Sequence, residues 1–386
     1  MSVLIAPLAL GLGVGWLELR HRLRPASPLR LHARDWSVRC IGGTVQVSGS
    51  LEIHNPHPRM EVFVPELRVE PVLLGQSDPS ALQVSTRVRA EHPGEEPRAD
   101  GYWEAYIVKG RKSTRARVSI EISGRDPLNA VDSLWVDVHW VNYGPFGRLQ
   151  RRQGLLVPLR LPDPLSQESA EFLPGDGCQV LPLRTHLLGP LDDPIDVLRR
   201  YAAPLLQPGD VITLGETPLA VIQGRYRHPS EVQPGMVARL ACRVFHPTSS
   251  LATACGLQSL IDVVGPTRVL AAWFGGLLLK LLGLPGGFYR LAGDQARLID
   301  DITGTTPPYD QTIVLGPEGS QSFCEEAAEV LGAPVAIVDV NDLGRVKVLA
   351  SSSGCDEALL QRALRPNPAG NANQRTPLVL VRPAVA

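Results

Sequence analysis

Between Leu29 and Pro162 apolar and polar residues alternate in one short run after another: "GGTVQVSGSLEIHNP", "EVFVPELRVEPVLLG", "ALQVSTRVRAEH", "GYWEAYIVKGRKSTRARVSIEISG" and "SLWVDVHWVNYG". A period of two puts successive side chains on opposite faces of a strand, so each run offers one face to a core and one to water. Gly, Pro and Asn clusters separate the runs at hairpin intervals, and Val, Ile, Thr, Tyr and Trp are abundant. This grammar rules out a helical bundle for residues 29–162. It predicts an antiparallel β-sandwich.

The grammar changes after "LPDPLSQESAEFLPGDG" (Leu161–Gly177), whose Pro, Ser and acidic residues predict a linker at 163–177. Beyond it strands and helices alternate. "CQVLPLRTHLL" reads as a strand. "DDPIDVLRRYAAPLL" reads as a helix capped by Asp, with Arg toward its end. "GDVITLGETPLAVIQGR" reads as a turn, a strand, a turn and a second strand. "LATACGLQSLIDVVG" and "RVLAAWFGGLLLKLLG" are helical, "QTIVLGP" a strand, and "SQSFCEEAAEVLG" a helix with a Ser cap. "PVAIVDVNDLGRVKVLAS" is strand, turn and strand; "CDEALLQRAL" is a helix and "TPLVLVRP" a last strand. Residues 178–386 are therefore predicted to form a mixed α/β domain, and the chain as a whole to be α+β.

The first residues have a different character. "SVLIAPLALGLGVGWLEL" carries one charge, Glu18, before "RHRLRP". At about 1.5 Å per residue this run approaches the thickness of a bilayer core. An apolar anchor helix is predicted at 1–24, and the arginines after it place the soluble domains in the cytoplasm. A buried or an interfacial helix is the alternative. A second apolar run, Val269–Leu284, is interrupted by Lys280 and predicts a buried or half-buried helix ended by "PGG".

Net charge is -1 over 386 residues. Residues 18–160 carry +5 and the remainder −6, so no global field favours nucleic acid, and none is expected as a partner. The six cysteines are scattered without a C-x-x-C pair. That argues against a disulfide framework or structural zinc and for buried thiols.

Four stretches in the rear half, in order, resemble the coenzyme F420-0:L-glutamate ligase family, the γ-glutamyl ligases. They are "LPLRTHLLGPLDDPIDVLRRYAAPLLQPGDVI", "GETPLAVIQGR", "LIDDITG…IVLGPEGS" and "VAIVDVNDLGRV". The resemblance runs from about Cys178 to Arg382 and leaves the front half outside. Separately, "LEIHNP" followed by "VFVPELRV" bears a faint resemblance to late-embryogenesis-abundant immunoglobulin-like domains.

The ligase resemblance implies a small-molecule substrate, GTP, Mg²⁺ or Mn²⁺, and a homodimer. The implied reaction activates a carboxylate as an acyl phosphate, which the amine of glutamate then attacks. Asp300 and Asp301 match the family's acidic pair and are the first metal candidates; two solvated carboxylates, or an N-cap, is the plain alternative. Counting back from Gly344-Arg345, the family's metal-binding Asp falls on Asn341 and its Thr on Asp342. These two join the metal candidates, although an ordinary Asn-Asp turn explains them equally. Arg225, beside Gly224, and Arg345 are the candidate catalytic cations; an arginine can hold phosphate or carboxylate bidentately. Arg184 and Thr185, Gly224 and Asp339 are the candidate nucleotide or substrate contacts. Two departures stand out. Thr217 and Pro218 replace a family Lys, for which Glu216 is no substitute, and Asn341 is neutral. No familiar nucleotide fingerprint is present, so GTP comes from the resemblance alone. "FHPTSSLATACG" sets Ser249, Ser250 and Cys255 near His246 but reads as a loop capping a helix. The competing function is a non-catalytic descendant that binds a small ligand or pairs with itself.

Overall fold

The alternating runs at the front of the chain form strands, and the strand-and-helix run behind them a mixed sheet. The protein is seen in a computed structural model that describes residues 2–22, 27–75, 78–164, 172–302, 306–341, 343–370 and 374–384, without the side chains of 2–9 and 22. The chain divides into two compact units: 1–71, 81–127 and 137–153 make one, and 72–80, 128–136 and 154–386 the other.

A helix, α1 (Ser2–Arg22), precedes β1 (Arg30–Ile41), β2 (Thr44–His54), β3 (Val62–Val64), β4 (Leu67–Leu74), β5 (Gln83–Glu91), β6 (Tyr106–Val108) and β7 (Ser113–Ser123). A one-turn helix α2 (Pro127–Ala130), β8 (Ser133–Gly144) and β9 (Gly147–Pro158) complete this part. One antiparallel sheet has the order β1-β2-β7-β5; the other runs β4-β8-β3-β6, with β9 paired to β8. The alternation is literal in β7: Thr114, Ala116, Val118, Ile120 and Ile122 are buried, and the residues between them face outward. In β2, Gly49 is required by its neighbour, because a Cβ there would lie 2.3 Å from the Trp36 ring.

The second unit is built on a six-stranded sheet. Its strands are β10 (Leu173–Gly175), β11 (Cys178–Leu183), β12 (Val211–Gly215), β16 (Val335–Val340), β17 (Val346–Ser351) and β18 (Leu378–Pro383), in the order β10-β11-β18-β12-β16-β17. Only the β12–β16 pair is parallel among these described pairings. Between them come α3 (Pro194–Tyr201), α4 (Glu216–Ile222), β13 (Tyr226–Arg227), α5 (Met236–Ala241), α6 (Ala254–Val264), α7 (Pro266–Leu281), α8 (Gly287–Ala292), β14 (Asp300–Asp301), β15 (Ile313–Val314), α9 (Ser320–Leu331) and α10 (Glu357–Ala363). The period of two sorts the sheet's side chains. Ile212, Leu214, Val335, Ile337, Leu378 and Leu380 join one core with Leu198, Tyr201 and Phe323. Val211, Ala336, Val338, Val379 and Val381 join another with Leu359 and Leu360. Each fully buried Leu or Ile contributes roughly 1.5–3 kcal/mol.

Several expectations change. "ETPLAVI" is the helix α4, not a second strand. A short apolar run is ambiguous by itself, and burial on two sides decides it: Leu219 and Ile222 join the sheet's core, Ala220 and Val221 a cluster with Tyr226 and Tyr309. The helix α9 is capped by Gly319 in the left-handed region at φ 62°, not by Ser320. "QTIVLGP" yields only the two-residue β15. Of the predicted linker, 173–175 is β10, while 165–171 lie outside the described residues. No single helix among the described residues is long and apolar enough to cross a membrane.

Candidate functional site

The parallel strands β12 and β16 pair as far as Gly215 and Val338, and β16 runs on to Val340. Polar groups and ligands gather at the carboxyl ends of such strands, where the chain turns away and leaves a crevice. A cavity of about 530 Å³ lies there, lined among others by Thr185, His186, Gly215, Glu216, Thr217, Asp339 and Arg375.

Its electrostatics come from three carboxylates far apart in sequence. Glu216 opens α4 at the end of β12, Asp339 sits near the end of β16, and Asp300 lies in β14. Burial pushes the Glu216 carboxyl up to about 9, with the charges of Asp339 and then Asp300 adding to the shift and Lys347 opposing it. Burial and Asp339 raise Asp300 to about 6, against a hydrogen bond from Thr217. Lys347 stands opposite Asp339 in the β16–β17 register. Lys347 thus counters the acidic group at Glu216 and from its place opposite Asp339. In the free protein Glu216 holds its proton at neutral pH and is a hydrogen-bond donor, the opposite of what a surface Glu offers.

Asp300 and Asp301 part company. The segment pairs with β15 as a strand, Asp300 with Val314 and Asp301 with Ile313, and adjacent strand residues face opposite sides. Asp300 belongs to the acidic group just described. Asp301 is buried and accepts a hydrogen bond from the Thr253 hydroxyl. Thr253 is the N-cap of α6 and itself accepts from the Gly256 amide at 2.8 Å, so Asp301 sits where a helix N-terminus favours negative charge. Residues 303–305 of the turn that follows lie outside the described residues.

The other candidates are spread out. Thr185 is buried at the cavity, with its hydroxyl donating to the His186 carbonyl at 2.7 Å. Arg184 is exposed and lines a separate cleft of about 320 Å³ with Asp132 and Arg375. Gly224, at φ 67°, follows α4, its amide bonded to Val221. Arg225 donates to the Gly316 carbonyl and to Glu318. Asn341 turns its Oδ1 onto the amides of Leu343 and Arg345, both at 3.1 Å, and Arg345 is exposed. Asp342 lies outside the described residues. Among the described residues no three His, Cys, Asp or Glu side chains are grouped so as to hold a metal ion.

Two groups escaped the sequence reading. In sequence Glu216 has the wrong sign for a phosphate contact, and its value depends on acids more than 80 positions away. His186 lines the cavity with Nδ1 2.7 Å from the Tyr201 hydroxyl and Nε2 2.9 Å from Asp192. Asp192 also accepts from the Gly189 amide at 2.7 Å, which fixes the ring. Its only sequence signal was a His directly after Arg184-Thr185. In "FHPTSSLATACG", Ser249 and Thr253 are N-caps, as the plainer reading expects.

Fold and site thus define a β domain joined in sequence to a mixed α/β domain with an acid-lined crevice at its parallel strand ends. Residues 30–161 match the family model described as "F420-0:gamma-glutamyl ligase, N-terminal Ig-like domain". The match supports that family and an Ig-like fold for the front domain. It falls on the half that the motif resemblance left out, not on 178–382. No curated protein matches the chain. Among solved structures, the yeast GGA1 GAE domain is 9% identical over 35% of this chain and 96% of its own, with a TM-score of 0.21. The GAE domain of GGA2p from Saccharomyces cerevisiae is 8% identical over 36% and 96%, at 0.21. A FixG-related protein from Vibrio parahaemolyticus is 9% identical over 34% and 97%, at 0.20. Scores this low carry no argument.

Proposed function

We propose that the crevice is the site of a γ-glutamyl ligase-like enzyme. It joins glutamate, or another amino acid, to a carboxylate substrate with GTP and a divalent metal. The supporting observation is that Glu216 and Asp339 line one cavity, with Asp300 beside them, bonded to Thr217 of the lining and acting by charge on Glu216. Mg²⁺ or Mn²⁺ fits this donor set: the oxygens are hard, their mutual repulsion is only partly met by Lys347, and Mg²⁺ needs only one or two carboxylates besides waters and phosphate oxygens. Asp300 and Asp339 would hold the ion, which supplies charge neutralisation at transferring phosphate. In the reaction a substrate carboxylate takes the γ-phosphoryl group and GDP leaves; the amine then displaces phosphate and releases a proton. Glu216 donates its proton in a hydrogen bond to an anionic substrate oxygen. Thr217 orients Asp300, and His186, held between Tyr201 and Asp192, shapes the wall. The chain works as a homodimer attached to the membrane through α1, with its domains cytoplasmic; exposed Leu10, Leu12, Val14, Trp16, Leu17 and Leu19 support that attachment.

Calorimetric titration of GTP into the full chain, with and without Mn²⁺, tests this. Micromolar binding that needs the metal and is lost in Asp300→Asn is expected. Binding indifferent to metal and to Asp300 overturns it. A second reading, a non-catalytic binding protein, is favoured by Arg225 and Asn341, whose side chains are engaged with neighbouring backbone. It predicts metal-dependent binding without phosphate release when glutamate and a carboxylate acceptor are added.

A further inference from the structure

The helix α7 is apolar apart from Thr267, Arg268 and Lys280, yet only one side is covered. Val269, Ala272 and Gly276 form the buried stripe. The packing there is close: a Cβ on Gly276 would fall 2.6 Å from the Phe288 amide nitrogen of α8, so the helix is held in one orientation. On the opposite side Leu270, Phe274, Leu277, Leu278 and Leu281 recur at helical spacing, 36% to 78% exposed. The neighbouring α5 and the turn after it repeat the pattern. Met236, Leu240 and Val244 are 76%, 57% and 59% exposed, with exposed Arg239 and Arg243 beside them.

Charge says what such a surface suits. From Gly235 to Leu291 there are five Lys or Arg and one acid, Asp262, and Asp262 is engaged by Arg227 at 2.8 Å. The cations are left without acidic partners inside the segment, in a chain whose net charge is -1. Exposed leucines and an aromatic mixed with uncompensated cations are the makeup of a helix lying in the headgroup region of an anionic bilayer. Length agrees. The 16 residues of α7 reach about 24 Å, short of the roughly 30 Å core. The preceding α6 turns away by 115° and buries Leu257, Leu260 and Ile261 in the protein. So α6 is held in the protein while α7 offers its open side.

We propose that α5 and α7 form a membrane-docking surface of the second unit for anionic lipid, separate from α1. The inference does not rest on the ligase reading. The test is hydrogen exchange of the full chain with vesicles of phosphatidylcholine alone or with 30% phosphatidylserine. Peptides covering 236–244 and 270–284 are expected to slow at least threefold on the anionic vesicles, less on neutral ones, and less again in high salt. Phe274→Glu with Leu278→Glu, both exposed positions, abolishes that slowing while α1 peptides respond as before. No slowing at 270–284 when α1 peptides are protected overturns the proposal. So does slowing indifferent to lipid charge, or slowing without vesicles that grows with protein concentration, which assigns the face to a second copy of the chain.

Discussion

Replacing Glu216 by Gln tests the acidic crevice most directly, because Gln mimics the protonated carboxyl. In the unfolded chain Glu216 titrates near 4.5 and in the folded, metal-free protein at about 9. A carboxyl whose folded value is raised stabilises fully below its unfolded value, and that contribution is lost as pH rises toward the folded value. Wild type therefore loses stability relative to Glu216→Gln between pH 5 and pH 8. At 1.36 kcal/mol per unit the ceiling on this loss is about 4 kcal/mol. Glu216 is half-buried and lines a cavity, so water reduces the effect, and about 1–2 kcal/mol is expected. Urea denaturation in chelator at pH 5, 6, 7 and 8 measures it. The two proteins differ least at pH 5, and the Gln variant gains steadily above it. A difference that is flat, or that shrinks as pH rises, refutes the argument that Glu216 is held neutral.

Other outcomes follow from the same structure. Asp210→Ala removes both 2.8 Å bonds to Arg382 and leaves its guanidinium without a counter-ion, held by the Leu205 carbonyl and the Phe172 ring; a loss of about 2–3 kcal/mol by denaturant titration is expected. Gly154→Ala places a Cβ 1.6 Å from the Trp135 ring and costs about 3 kcal/mol, read as a lower denaturation midpoint at unchanged m-value. Thr253→Val removes the N-cap of α6 and the donor to Asp301, with a loss of about 1–2 kcal/mol. Because the Thr253 bond holds Asp301 down while burial raises it, the Asp301 carboxyl moves up in that variant, which carboxyl NMR titration detects.

What the sequence revealed was what neighbours along the chain decide. The β7 alternation is visible without knowledge of its partner, and Asp193 and Asp356 announce α3 and α10 because a cap bonds amides two or three residues away. The sequence was silent where distant contacts decide. Only burial on two sides, of Leu219 and Ile222 in the sheet's core and of Ala220 and Val221 against Tyr226 and Tyr309, makes α4 a helix. Only pairing with β15 shows that Asp300 and Asp301 cannot serve one centre. Glu216 becomes unusual through Asp339 and Asp300, which the fold brings to it. The family match lay in a domain whose strands are recognisable by alternation but carry no chemistry to quote.

The doubled aspartate of β14 has one more implication, for how this segment tolerates change. If the strand slipped by a single residue against β15, one acid would take the other's post and Ile299 or Ile302 would fill the one it left. A slip one way would keep the crevice's anion and lose that of the α6 cap; a slip the other way would do the reverse. Most strands forfeit both faces when their frame shifts; here the repeated letter insures one post at a time.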